Sequence, residues 1–336
     1  MTPRLAVSMT GADERLDQVG ERVEEFTAAG YRELWTSELT GSDAFAPLLA
    51  AAVGRPWLRL GTAVASVFTR SPGLLAMQSL SLAESSTEPV HVGIGASSEA
   101  VVAGWHGVPF RRPYTRVRDT VRFLREAFEG GRVTFRSDSF DIDGFRLART
   151  PPHRPRVLVA ALREKMLRLA GAEADGAVLN WLSPDDVRKV APLVLEGNPD
   201  AEVVARLFVV AAGDRESARE YARRHIAGYL NSGVYAAYHA WLGRGDVLEP
   251  MTTAWRAGDR KGALAAVPDS LVDELFLIGD EAQIRAGLAD YVRAGVTRPV
   301  ISVIGPDPGP AHATLLRLGP AGGVDQQPRS AQNNQL

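Results

Sequence analysis

Residues 158–183, LVAALREKMLRLAGAEADGAVLNWLS, read as strand, turn, helix and strand with almost no slack. An apolar run at 157–160 breaks into an amphipathic segment with Leu167 and Ala170 on one face. A second apolar run at 177–179 follows Ala174-Asp175-Gly176. That pattern is a βαβ unit. The turn at Ala161-Leu162 leads straight into a helix start, where unpaired backbone N–H groups favour a phosphate.

Working outward, short apolar runs rich in Val, Leu and Ile recur at 5–8, 33–36, 58–64, 90–95, 157–160, 177–179, 204–210 and 300–304. Helical patterns at 14–29, 44–53, 72–83, 114–128, 165–173, 184–194, 217–230 and 281–295 lie between and after them. Eight such repeats close most naturally as a (β/α)8 TIM barrel with a parallel sheet. Two segments interrupt the alternation. VTFRSDSFDIDGF at 133–145 reads as a small β-hairpin outside the barrel, a lid or rim element. Residues 231–277 carry Tyr235, Tyr238, Trp241 and Trp255 with several helical fragments, a helical insertion before the last β-strand. It reads either as substrate-facing loops or as a packing or dimer surface.

Composition narrows the function. With 336 residues and 45% hydrophobic content, one domain over 1–319 is expected; the polar stretch 320–336, PAGGVDQQPRSAQNNQL, is expected to be disordered. A net charge of −2, from 38 basic and 40 acidic residues, provides no field for nucleic acid or an anionic membrane. No cysteine is present, which removes disulfides, thiolate chemistry and sulfur-ligated metal. No apolar stretch approaches the roughly 18 residues of a membrane span, and MTPRLAVSM is too short in its apolar part for a signal peptide. A cytoplasmic enzyme acting on a small molecule is the expectation.

In such a barrel the chemistry sits at the C-terminal strand ends. After the second strand comes Glu38, a carboxylate beside apolar residues that favour its neutral form, or else a helix cap. After the fourth, GIGASS brings Gly95 for close backbone approach and the hydroxyls of Ser97 and Ser98. His106, in Trp105-His106-Gly107, is a candidate proton carrier or a satisfied loop histidine. After the sixth strand stand Asn180 and Trp181. GIGASSEAVVAG lacks the third glycine of a dinucleotide fingerprint and the acidic residue about 20 positions on. The six histidines show no HxH or HxxxH spacing, so no metal is expected. Neither a nucleophile elbow nor a P-loop occurs.

Taken in order, Trp35-Thr36-Ser37-Glu38, the segment from Leu60 to Val64 leading to Phe68-Thr69-Arg70-Ser71-Pro72, Gly93 to Ser98, Trp105 to Phe110 and the segment 161–184 resemble the bacterial-luciferase-like superfamily. Within it they are most similar to the oxidoreductases that use the deazaflavin coenzyme F420. The resemblance runs from about Arg4 to Gly305. It implies a (β/α)8 barrel holding a flavin-type ring in its mouth, with hydride transfer at the ring's C5, and often a homodimer. It further implies a non-proline cis peptide at Ala63–Val64 behind that ring, and phosphate contacts from Ala161, Leu162, Arg163, Ser97 and Ser98. Glu38, Asn180 and Trp181 fall at ring- or ribityl-contacting positions. The chain departs from relatives in having Thr87-Glu88-Pro89-Val90 where Gly-Arg-Phe is common. It also has Glu38 or Leu39, and Ser98, where some deazaflavin dehydrogenases place a His and a Glu. The substrate proton is then expected from Glu38, His106 or water. FMN-dependent monooxygenation with a separate reductase is the alternative, and a non-redox barrel that has lost its cofactor the second.

Overall fold

A computed structural model describes residues 5–9 and 15–320. In chain order it runs β1 (Ala6–Met9), α1 (Val19–Ala28), β2 (Glu33–Thr36), α2 (Ala46–Ala52), β3 (Arg59–Ser66), α3 (Pro72–Glu84), β4 (His91–Gly95) and α4 (Pro113–Phe128). The hairpin β5 (Val133–Arg136) and β6 (Asp141–Phe145) precedes β7 (Arg156–Ala160), α5 (Glu164–Glu173), β8 (Gly176–Asn180), α6 (Pro184–Leu195) and β9 (Glu202–Val210). Five helices follow: α7 (Arg215–Leu230), α8 (Gly233–His239), α9 (Gly245–Arg256), α10 (Arg260–Ala265) and α11 (Asp269–Leu275). The two-residue β10 (Phe276–Leu277), α12 (Glu281–Ala294), β11 (Arg298–Ile304) and α13 (Pro308–Arg317) complete the chain.

Strands β1, β2, β3, β4, β7, β8, β9 and β11 pair in parallel, and β11 returns to β1, so the sheet closes as an eight-stranded barrel. All eight expected strands are present. Period-two alternation sends Val7, Leu34, Leu60, Val92, Val159 and Ala177 outward into the layer shared with the helices, while Ala6, Trp35, Leu158, Val178, Val204 and Val300 fill the barrel interior. Gly61 makes room for Trp35: a Cβ there would lie 2.5 Å from the indole. Trp35 therefore belongs to the middle of the barrel.

Helix starts follow local chemistry. Ser71 accepts from Leu74 N ahead of Pro72, and Ser183 and Asp186 form a capping box around Pro184. Asp280 and Gln283 form another at α12.

Two expectations change. The helix at 217–230 was expected to follow the seventh strand as a barrel helix, with the insertion after it. Instead α7 packs with α8 to α11 as a separate lobe whose core includes Ala222, Ile226, Leu248, Met251, Leu271 and Leu275. The seventh barrel helix is α12, which lies against α6 and β11, and the eighth is α13, which the sequence reading lacked. A short helix rich in Pro, Gly and Ala gives little periodic signal. The hairpin, for its part, braces α4: Phe123 meets Phe135, Phe140 and Phe145 at 5.9, 6.2 and 5.4 Å between ring centres. It packs on a helix flank. The expected disordered tail lies, from residue 321, outside the described residues.

Candidate active site at the barrel mouth

The barrel interior is layered, and its two ends differ in kind. At the N-terminal end, the first residues of five strands meet. Arg298 ion-pairs with Glu33 and holds Glu202 at 2.8 Å, while His91 and Arg156 reach Glu202 at 3.1 and 2.8 Å. Trp35 Nε1 donates to Glu33 at 2.7 Å. Burial alone would push the Glu202 carboxyl up, but His91 and Arg298 more than reverse it and hold it down at about 2. This closed ion cluster is a structural plug at the end of the barrel where chemistry is not found.

At the C-terminal end, one pleat above the apolar layer, the same alternation presents Ser8, Val64, Gly95, Ala160, Asn180, Arg206 and Ser302. The third strand is bulged here. Pairing steps from Thr62 opposite Val92 to Ala65 opposite Ile94, three residues against two, and Ala63–Val64 is a cis peptide. The glycines of GIG accommodate it. A Cβ on Gly93 would overlap the Thr62 carbonyl, and one on Gly95 would lie 2.9 Å from Ala160 Cβ and 3.0 Å from Val64 Cγ2. Val64, half-buried, thus packs against two glycines as an apolar floor.

Glu38 sits just outside this floor, though not in apolar surroundings. It accepts from Ser66 N at 3.1 Å and Ala44 N at 3.2 Å and ion-pairs with Arg70. Arg70 in turn donates to Gln78 at 3.0 Å and lies over the Phe45 ring. The carboxylate stitches the β2 loop to the end of β3. Ser97 is exposed with a positive φ of 61°, and Ser98 Oγ accepts from Val101 N at 3.4 Å, starting the π-helical turn Ala100–Trp105. His106 ends that turn exposed, and among the described residues no hydrogen bond or ring contact joins its imidazole to another residue.

Helix α5 begins at Glu164 with Arg163 as an extended N-cap and no side-chain cap, directly after the turn as expected. One expected donor is withdrawn: the Ala161 amide donates to Val178 O at 3.2 Å and belongs to the sheet. The grip narrows to the amides that follow. The commoner phosphate position in barrels, after the seventh and eighth strands, is a cleft of about 340 Å³ lined by Gly279, Asp280, Glu281 and Asp307. Its two helix starts are already capped by Asp280, which accepts from Gln283 N, and Asp307, which accepts from Gly309 N. Those carboxylates disfavour an anion there.

Asn180 and Trp181 form one wall. Asn180 Nδ2 donates to Tyr235 Oη at 3.2 Å, and its buried Oδ1 has no partner among the described residues. Trp181, with φ of 57°, is buried against Phe208, Tyr229 and Phe276 at 4.7, 5.0 and 5.5 Å, and its Nε1 is likewise unpartnered. Asn180 Oδ1 and Trp181 Nε1 are thus a buried acceptor and a buried donor without partners among the described residues. Three residues here, Arg206, Tyr229 and His225, went unread in the sequence, and Tyr235 was read only as an aromatic of the insertion. Arg206 stands inward in the middle of the strand EVVARLFVV and donates to Ser302 Oγ at 3.2 Å; a charge on the inward parity in mid-strand is a signal the sequence does contain. Tyr229, Tyr235 and His225 come from the insertion lobe, whose placement no periodicity reveals. Burial, assisted by Arg206, lowers the His225 pKa.

Among the described residues no helix is long and apolar enough to cross a membrane, and no group of three or more His, Asp or Glu side chains is placed to hold a metal. A Mycobacterium tuberculosis protein provisionally named a coenzyme F420-dependent oxidoreductase is 27% identical over 302 residues, covering 82% of this chain and 87% of that one. The 5,10-methylenetetrahydromethanopterin reductase of Archaeoglobus fulgidus is 26% identical over 293 residues, covering 83% and 87%. The fold matches that of the coenzyme F420-dependent tetrahydromethanopterin reductase of Methanopyrus kandleri with a TM-score of 0.78 at 21% identity, over 96% and 98% of the two chains. The luciferase-like monooxygenase family model matches residues 2–298, nearly the whole closed barrel, and the chain belongs to that family.

Proposed function

We propose that this protein is an F420-dependent oxidoreductase that moves a hydride to or from a small organic substrate held at the barrel mouth. The observation that carries this reading is the flat apolar floor of Val64 over Gly93 and Gly95, walled by the unpartnered Asn180 Oδ1 and Trp181 Nε1. The name of the relative at 27% identity supports deazaflavin over FMN. When bound, the coenzyme supplies two-electron hydride chemistry; the protein supplies orientation and a dry pocket.

Each residue then has a task. Val64, Gly95 and Ala160 support the ring face; Asn180 and Trp181 meet its polar edge. The amides of Leu162 and Arg163 and the first turn of α5, with the Ser97 and Ser98 hydroxyls, hold phosphate. Glu38 fixes the end of β3 through Ser66 N and Arg70, which keeps the floor in register, and His106 is left to whatever enters over its loop. Residues 1–319 act as one unit, cytoplasmic and dimeric.

The second reading, an FMN monooxygenase, has the family description in its favour. Oxygen separates the two, because a deazaflavin lacks the N5 needed for a peroxide adduct. Purified protein is mixed with reduced F420 or reduced FMN in aerated buffer with an oxygen electrode. The F420 reading expects substrate-linked oxidation of reduced F420 without oxygen uptake. Protein-dependent oxygen uptake with reduced FMN, and no effect on F420, favours the second.

A further inference from the structure

Tyr235, an aromatic of the insertion, meets the end of a barrel strand. Asn180 ends β8 with its side chain inward, and its Nδ2 donates to Tyr235 Oη at 3.2 Å. A phenol oxygen that accepts in this way keeps its own O–H for another acceptor. Among the described residues no acceptor takes it. Helix α8 carries Tyr235 to this place, its ring edge-to-face with Tyr229 at 6.1 Å, and Tyr229 rests on Trp181. Arg206 is the register partner of Asn180 on β9 and projects into the same layer.

We propose that Tyr235 is the catalytic acid of this site, and that the substrate it serves contains a C=O or C=N bond. The proposal rests on the F420 reading above. In the reducing direction a hydride, which carries both electrons, arrives at the substrate carbon from reduced deazaflavin. The π pair of C=O or C=N moves onto the heteroatom, which takes the proton from Tyr235 Oη. The coenzyme is oxidised and the substrate reduced, and the tyrosinate left behind regains its proton from solvent.

Chemistry selects this substrate class. A neutral phenol is a stronger acid than the alcohol or amine being formed, so transfer to the heteroatom runs downhill. A heteroatom also offers the lone pair that the open O–H can address before reaction, which an isolated C=C does not. Burial pushes the Tyr235 pKa up, against the opposing effects of Asn180 and Arg206, so the phenol holds its proton through neutral pH. The positive charge of Arg206 in the same layer favours the negative charge that develops on the heteroatom and on the phenolate.

Full-length wild type, Tyr235→Phe and Asn180→Ala are compared for F420 binding by fluorescence titration, and for single-turnover oxidation of reduced F420 with cyclohexanone, benzaldehyde and pyrroline as probes. Wild type is expected to oxidise reduced F420 with at least one probe. Tyr235→Phe should bind F420 within about twofold of wild type and lose about 100-fold in rate, the usual range for a general acid. Asn180→Ala, which keeps the phenol but frees it to rotate, should lose about tenfold in single-turnover rate at saturating F420, where its own ring contact no longer limits binding, and serves as the second variant should Tyr235→Phe melt early. Wild-type rates in both variants overturn the assignment of Tyr235. A wild type that binds F420 yet reduces none of the probes overturns the substrate class. A wild type that binds no F420 counts instead against the underlying functional reading.

Discussion

A methyl group at position 93 has no room. The Thr62 carbonyl occupies the space, and Val64 stands behind it at 3.2 Å. Because the obstacle is backbone, the strand itself must shift, and Gly93→Ala is expected to cost about 1–3 kcal/mol in urea unfolding and to abolish ring binding as the β3 bulge moves. Glu202, at the opposite end, sets the acid limit of stability. Its carboxyl is held at about 2 in the folded protein against 4.5 in the unfolded chain, so its contribution, roughly 3 kcal/mol, is fully present above pH 4.5 and is lost as pH falls toward 2. Urea midpoints measured from pH 6 to pH 2.5, values roughly spanning that window, should fall more steeply for wild type than for Glu202→Gln. Residues that a strand-end rule can reach, Glu38, Ser98, Asn180 and Trp181, were legible in the sequence. What each one touches was not: the partner of Glu38 is Arg70, 32 positions away, and no local pattern joins them.

At the scale of elements, the insertion lobe and the barrel meet through Trp181. The indole is sandwiched among Phe208, Tyr229 and Phe276, joining a barrel strand, α7 and β10. Trp181→Ala is expected to cost about 3–5 kcal/mol and, more tellingly, to expose α8 to α11 to limited proteolysis before the barrel opens. Ser183, two residues on, caps α6 and is within 3.3 Å of Arg244 from the lobe. Ser183→Ala should lower stability by about 1 kcal/mol in the same unfolding measurement. The eight strands were legible because each is a short apolar run with turn residues at its ends. The roles of α7, α12 and α13 were not, because helix periodicity says that a face is buried and leaves open against what. The lobe's helices bury their faces on one another, so their pattern is the same as that of a barrel helix.

For the whole molecule, one closed sheet separates two chemistries. Charges paired into a plug fill the N-terminal end, and the C-terminal end keeps unpartnered polar atoms beside an apolar floor. That asymmetry follows from period-two alternation carried through eight strands: every second residue enters the barrel, so the first inward residues make the plug and the last make the mouth. The family membership and the barrel agree with the sequence reading, and the central functional claim is that the mouth accepts a deazaflavin. On the proposed reading Trp181 borders that mouth, so its fluorescence is expected to report occupancy. Titration of the purified protein with F420 and with FMN, under the same buffer and salt, tests the claim most directly. The account predicts saturable quenching by F420 at micromolar concentration and weaker binding of FMN. Micromolar binding of FMN with none of F420 would contradict it.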